Sequence, residues 1–293
     1  MIRYLQLFLL TAICLLLVNS CSKDKPIYET NNLNGNKISA FGHAGMGIGF
    51  KYPIDTYESF EPCLRIGSDG TEIDIQMTKD GILVAYHDSK LEEGTLCSGT
   101  INDKLWSEIW GCHQTSPYSS KINLISVNDL FNRLQNDGYN LQNFVFTFDC
   151  KLFTSASNNN AFLNQYANAI IKTINDFELE NNLLIESGDT AFLHMLQNKR
   201  DGLKLFIYPN NFDEGFQIAK AMNLFGIIMH TDYISSEQIK QAHDNGFRVT
   251  LWGMNSEQEN VDAILKSPDF LQSDKIIHLL KVFGKYKNNI NDN

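Results

Sequence analysis

Thr71-Glu72-Ile73-Asp74-Ile75-Gln76-Met77-Thr78-Lys79-Asp80-Gly81-Ile82-Leu83-Val84-Ala85-Tyr86-His87 sets two β-rich runs on either side of a tight turn. The turn, Thr78 to Gly81, is too short to connect parallel strands, because a parallel crossover needs about a dozen residues. Ile82–His87 therefore folds back antiparallel on Thr71–Met77 as a hairpin. That matters for the strand count. Further β-rich runs occur at Ile38–Phe41, Phe144–Phe148, Leu183–Ile185, Leu203–Tyr208, Phe225–Met229, Val249–Trp252 and Phe270–Gln272. Amphipathic stretches such as Val127–Asn136, Ala161–Phe177, Ser236–Asn245 and Gln258–Lys266 fall between most of them. Ser235 and Gln238 have the spacing of a capping box, and Gly246 supplies a left-handed helix stop.

With the hairpin strand set aside, eight strands remain, each reached through a helical or long connection. Eight parallel strands alternating with helices over about 250 residues predict a (β/α)8 TIM barrel. The hairpin and Ser89–Lys121 then form a short insertion after strand two, above the catalytic face. An open doubly wound sheet shares the local pattern. Gly42-His43-Ala44-Gly45 lacks the spacing of a dinucleotide-binding turn that would favour it.

The chain divides into three expected parts. Residues 1–21 read as a secretory signal with a lipobox: Arg3, then an apolar run from Leu7 to Val18 that is shorter than the roughly 20 residues of a membrane span, then Ser20-Cys21. The ending resembles that of bacterial lipoproteins, which implies lipidation of Cys21 and export to the membrane of a bacterial cell envelope, at the periplasm or cell surface. Plain cleavage nearby is the alternative. Residues 22–37 are polar and Asn-rich, as a flexible tether would be, and 38–293 form the barrel domain.

The chain has 43% hydrophobic and 20% charged residues, which excludes disorder and fibrous repeats. Its 24 Lys+Arg against 34 Asp+Glu give a net charge of −10, which argues against a nucleic-acid partner. Of the cysteines, Cys97 and Cys112 flank one stretch and are candidates for a disulfide in an oxidising compartment. Cys63 and Cys150 read as small buried residues.

Active sites of this fold lie at the C-terminal ends of the strands. Those ends carry His43, the pair Glu72 and Asp74, His87 with Asp88, and Asp149 with Lys151. Two residues apart on one strand, Glu72 and Asp74 share a face, and Ile73 and Ile75 claim the other for helix packing. Two carboxylates facing a barrel interior call for a cation. A hard divalent ion, with Asp149 as a third oxygen donor, answers that need. Structural carboxylates held by Lys or Arg are the plainer alternative. His43 and His87 suit general acid–base work beside them. His113, His194, His230 and His243 carry no such context and read as structural.

The ordered set His43-x-Gly45, Glu72-Ile73-Asp74, Thr78-Lys79-Asp80-Gly81, His87-Asp88 and Asp149-x-Lys151 resembles the glycerophosphodiester phosphodiesterases. Trp252-Gly253-Met254-Asn255 and Ser98-Gly99-Thr100-Ile101-Asn102-Asp103 extend the resemblance. It implies metal-dependent cleavage of a small phosphodiester to glycerol 3-phosphate and an alcohol. Glu72, Asp74 and Asp149 would hold Ca2+ or Mg2+, and Lys151 would neutralise a phosphate oxygen. His43 and His87 would exchange protons, and Trp252 would line the pocket or pack its mouth. Two positions depart from the family pattern. Ala44 stands where the family has Arg, which removes a bidentate phosphate contact. Asp149 stands where it usually has Glu; the related sphingomyelinase D enzymes also look like Asp-x-Lys at that point, which keeps another lipid headgroup in play. A barrel glycosidase is disfavoured, because neighbours on one strand face cannot bracket a sugar. A noncatalytic lipid-tethered binding protein would have no need of two histidines.

Overall fold

The computed structural model describes residues 28, 31–32, 35–115, 122–154 and 159–288. The lipobox cysteine, Cys21, lies outside the described residues. The strands are β1 (Ser39–Gly42), β2 (Gly70–Met77), β3 (Leu83–Ala85), β4 (Ile125–Ser126), β5 (Val145–Cys150), β6 (Leu183–Ser187), β7 (Lys204–Ile207), β8 (Gly226–His230), β9 (Arg248–Met254) and β10 (Phe270–Ser273). The helices are α1 (Tyr57–Arg65), α2 (Trp106–Ile109), α3 (Val127–Asn136), α4 (Asn159–Phe177), α5 (Thr190–Lys199), α6 (Phe212–Met222), α7 (Ser236–Asp244), α8 (Glu257–Leu265) and α9 (Ile276–Val282).

Neighbouring strands run β1-β2-β5-β6-β7-β8-β9-β10, all parallel, and β10 pairs back with β1 to close the barrel. The eight-stranded TIM barrel expected from the sequence is the observed fold. α3 spans the expected residues, and Ser126 Oγ caps it by accepting from Asp129 N. At the start of α7, Ser235 Oγ accepts from Gln238 N while Gln238 Oε1 accepts from Ser235 N. Gly246 then takes a positive φ of 85°.

Strand alternation divides the core in two. Ile73, Ile75, Phe146, Phe148, Ile185 and Leu251 point outward into the apolar layer shared with the helices. Phe41, Leu184, Phe206 and Ile228 point inward, and Phe270 joins them. Phe270 stacks on Phe41 at 5.5 Å between ring centroids and meets Phe206 edge-on at 6.0 Å. This aromatic plug fills the floor of the barrel, so the polar inward residues nearer the strand tips form its mouth.

β3 turns back on β2 with Ile75 opposite Ala85, as the short turn requires. The insertion extends further than Ser89–Lys121. It returns through β4, which pairs antiparallel with β3 and makes a three-stranded ribbon. β4 is only two residues long, too short to leave an alternating pattern in the sequence. Val84, Tyr86, Leu91, Ile101, Ile109, Cys112 and Leu124 give the insertion its own small core. Cys97 and Cys112 are joined in a disulfide, while Cys63 and Cys150 are free and buried. Lys79 N donates to Lys104 O at 2.8 Å, and Thr154 Oγ1 donates to Asn102 Oδ1 at 2.7 Å. These bonds tie the insertion to the tips of β2 and β5, above the catalytic face.

Contacts with the barrel begin ahead of residue 38. Asn32 Nδ2 donates to Asp269 Oδ1 at 3.0 Å, and Lys37 Nζ donates to Asp69 Oδ1 at 3.1 Å. Among the described residues no helix is long and apolar enough to cross a membrane.

Candidate active site

The register of β2 against β5 places Asp74 opposite Asp149 and Glu72 opposite Thr147. Glu72, Asp74 and Asp149 each offer one oxygen, and the three oxygens lie within 4.8 Å of one another. Glu72 is held by Ala44 N, which donates to Oε2 at 2.7 Å. Its Oε1 and Asp74 Oδ2 are buried without a hydrogen-bond donor among the described residues. Unpaired buried carboxylate oxygens are costly. A hard cation would satisfy them, so the donor set fits one.

Burial, with Asp74 beside it, pushes the Glu72 carboxyl well above the usual range. Burial also raises Asp149, and Asp74 adds to it against the opposing pull of Lys151. Asp74 goes the other way: burial favours the neutral acid, but Lys151, His87 and His43 outweigh it. Lys151 Nζ sits 3.0 Å from Asp74 Oδ1 and 2.7 Å from Asp149 Oδ2. Burial opposes its charge, yet Asp74 and Asp149 raise its pKa. The lysine thus partly holds the carboxylates together, the role the plainer reading gave to a cation on the protein.

His43 follows β1, where the chain turns so tightly that a Cβ on Gly42 would come within 1.7 Å of Gly45 O. His43 Nδ1 lies 2.9 Å from Asp274 Oδ1, which leaves Nε2 available for proton exchange. Burial lowers its pKa, but Asp274, Glu72 and Asp74 raise it further, to about 9. His87 lies two residues beyond β3, is half exposed, and pairs Nδ1 with Asp88 Oδ1 at 2.8 Å. Both rings are therefore held in the same way, by an aspartate on Nδ1. Ala44 is fully buried, and its backbone N–H rather than a side chain serves the site.

Trp252 on β9 closes the far wall. Its ring lies 6.2 Å from His43, 5.7 Å from Tyr208 and 4.7 Å edge-on from His230. It therefore packs the mouth as well as lining it, and its Nε1 has no acceptor among the described residues.

Sequence reasoning missed two residues. Asp274 sits just past the end of β10, as His43 sits past β1, and the strand-end criterion applied there finds it; His230, read as structural, packs edge-on against Trp252 and accepts from Asp232 N. Asp55, in the loop before α1, gives no such signal. Its Oδ1 accepts from Asp74 N at 3.2 Å, filling the gap between the parts of β2 paired with β1 and with β3. His243, read as structural, is so: it pairs with Asp269 at 2.7 Å through Nε2, well away from the strand tips. His194 lies on α5 in the outer ring, and His113 lies in the insertion.

A parallel barrel with clustered carboxylates and two aspartate-paired imidazoles at its C-terminal mouth has the layout of an enzyme active site equipped for acid–base chemistry. Residues 46–281 match the glycerophosphoryl diester phosphodiesterase family. The chain belongs to that family, whose members are phosphoric diester hydrolases. It is 22% identical over 219 residues to a glycerophosphodiester phosphodiesterase of Caldanaerobacter subterraneus, covering 73% of this chain and 85% of that protein. A 63-residue stretch is 44% identical to one from Bacillus altitudinis, covering 21% of this chain and 26% of that protein. Among solved structures, an Oleispira antarctica phosphodiesterase in complex with the product sn-glycerol-3-phosphate has the same fold. Its TM-score is 0.73 at 15% identity, over 84% of this chain and 96% of that one. A glycerophosphodiester phosphodiesterase from Parabacteroides distasonis gives 0.70 at 15% identity, over 85% and 98%.

Proposed function

We propose that this chain hydrolyses glycerophosphodiesters to glycerol 3-phosphate and an alcohol, with Ca2+ or Mg2+ held by Glu72, Asp74 and Asp149. The observation that carries this reading is the convergence of three carboxylate oxygens within 4.8 Å beside two aspartate-paired imidazoles. The ion, when bound, supplies charge to a nonbridging phosphate oxygen. Lys151, already 2.7 Å from Asp149, stands at the same edge to neutralise a second oxygen. Nε2 of His43 and Nε2 of His87 exchange the two protons the reaction needs, one with the nucleophile and one with the leaving oxygen. Asp274 and Asp88 hold the rings so that these nitrogens are free. Trp252 shields the His43 side from water. Loss of the family arginine at Ala44 leaves phosphate binding to Lys151 and the cation.

The signal and lipobox at 1–21 support export and anchoring through Cys21 to a membrane of the cell envelope, with the barrel acting on small diesters nearby. Hydrolysis of glycerophosphocholine with and without chelator tests the activity. We expect chelation to stop it, and Glu72→Gln and His87→Ala to abolish it. Turnover surviving both substitutions would remove the site assignment.

A further inference from the structure

The two histidines stand on unequal backbones. His43 N donates to Ser273 O at 3.3 Å, which prolongs the ladder between β1 and β10, and Asp274 N, beside it, donates to Met254 O at 3.1 Å. His87 has no such support. Pairing of β3 with β2 and with β4 ends at Ala85 on both sides, and the last ladder bond runs from Tyr86 N to Asp74 O at 3.0 Å. A group that exchanges a proton needs a fixed position, since a misplacement of about 1 Å can cost roughly a hundred-fold in rate.

One side chain takes over where the ladder stops. Gln76 is buried on β2, on the same strand face as Glu72 and Asp74 and two residues nearer the tip. Its Nε2 donates to Tyr86 O at 2.8 Å and to Asp88 O at 2.7 Å. A primary amide carries two N–H donors, and each here has its own carbonyl, one on either side of His87. The backbone is pinned before and after the histidine, while Asp88 Oδ1 holds the ring through Nδ1 at 2.8 Å. Asp88 thus depends on the same clamp, because its own carbonyl is one of the two held groups. Tyr86, His87 and Asp88 line the cavity of about 290 Å³ beside them, but Gln76 is not among its described lining residues. Any effect of Gln76 on a substrate there must pass through His87. Anchoring of the insertion has other means, in the bonds from Lys79 N to Lys104 O and from Thr154 Oγ1 to Asn102 Oδ1.

We propose that Gln76 is a positioning residue, whose amide replaces the missing strand pairing and sets the His87–Asp88 pair at the mouth. The inference rests on the proton-exchange role given to His87 above.

The test uses the full chain with glycerophosphocholine. Gln76→Met keeps the side-chain length and removes both donors. Its kcat should fall roughly ten- to a hundred-fold with KM nearly unchanged, because the proton transfer and not substrate binding is disturbed. In the NMR spectrum of the variant the His87 ring signals should shift and broaden, while those of His43 stay in place. Thr154→Val, which cuts a tie of the insertion without touching either carbonyl, should leave kcat unchanged. In the unaltered protein, scalar couplings across the hydrogen bonds should link Gln76 Nε2 to the carbonyl carbons of Tyr86 and Asp88, which tests the clamp even if Gln76→Met does not fold. Absence of either coupling, an unchanged kcat in Gln76→Met, a loss confined to KM, or an equal fall of kcat in Thr154→Val would overturn the positioning role and leave the hydrolase reading standing. No hydrolysis by the unaltered protein would overturn both.

Discussion

Asp274 is the aspartate on which the behaviour of His43 turns. Its Oδ1 lies 2.9 Å from His43 Nδ1 and also accepts from Ile48 N at 2.8 Å. In Asp274→Asn the amide oxygen keeps the Ile48 bond, so the loop after β1 should hold its shape. The charge is lost. Burial then opposes the imidazolium with only Glu72 and Asp74 against it, and the His43 pKa should fall from about 9 toward its ordinary value of 6.5. A hydrogen bond to a charged group contributes about 1.5–3 kcal/mol, so kcat/KM should drop roughly ten- to a hundred-fold. The pH dependence of stability gives a second handle. A pKa raised in the folded state contributes stability that is complete below the unfolded value and disappears as pH rises through the folded one. Wild-type protein should therefore lose stability between about pH 6.5 and pH 9, and the variant should lose less over that interval. The measurements are kcat/KM across pH 5 to 10, with histidine NMR titration to follow the ring directly. An unchanged His43 titration and an unchanged rate would show that Asp274 neither holds nor charges the ring.

The acid limb of stability should depend on Asp69, which accepts from Ala40 N at 2.9 Å, Lys285 Nζ at 2.6 Å and Lys37 Nζ at 3.1 Å. Burial raises its pKa, but Lys285, Ala40 N–H and Lys37 lower it more; burial also lowers Lys285 despite the pairing. A depressed carboxylate contributes stability above its unfolded pKa and loses it as pH falls through the folded value. Asp69→Asn should thus cost about 1–3 kcal/mol in urea melts at neutral pH and much less near pH 3; an equal cost at both would refute the pairing. Reducing Cys97–Cys112, which spans 15 residues, should release about 3 kcal/mol of loop constraint. Because the insertion has its own core, amide exchange should quicken across residues 91–112 and stay unchanged in β5 to β8. Faster exchange throughout the barrel would contradict that separation.

Much of this protein is legible in one dimension because its signals are local. The short turn after Met77 forces β3 to run antiparallel, and the alternation of Glu72 and Asp74 with Ile73 and Ile75 fixes which side chains face the mouth. Helix caps such as Ser126 and Ser235 act within one turn of chain, so their residues announce them. Strand-end position alone was enough to single out His43, His87 and Asp149. What tertiary structure decided are the pairings across sequence distance. Only the β2–β5 register brings Asp149 to Asp74, and only barrel closure through β10 brings Asp274 to His43. The Asp55 carboxylate enters the site because a loop reaches across to a vacant backbone N–H of β2, which no local pattern encodes. Periodicity is a property of neighbouring residues, whereas a site is built wherever distant segments are packed together, and that packing is settled by the whole core.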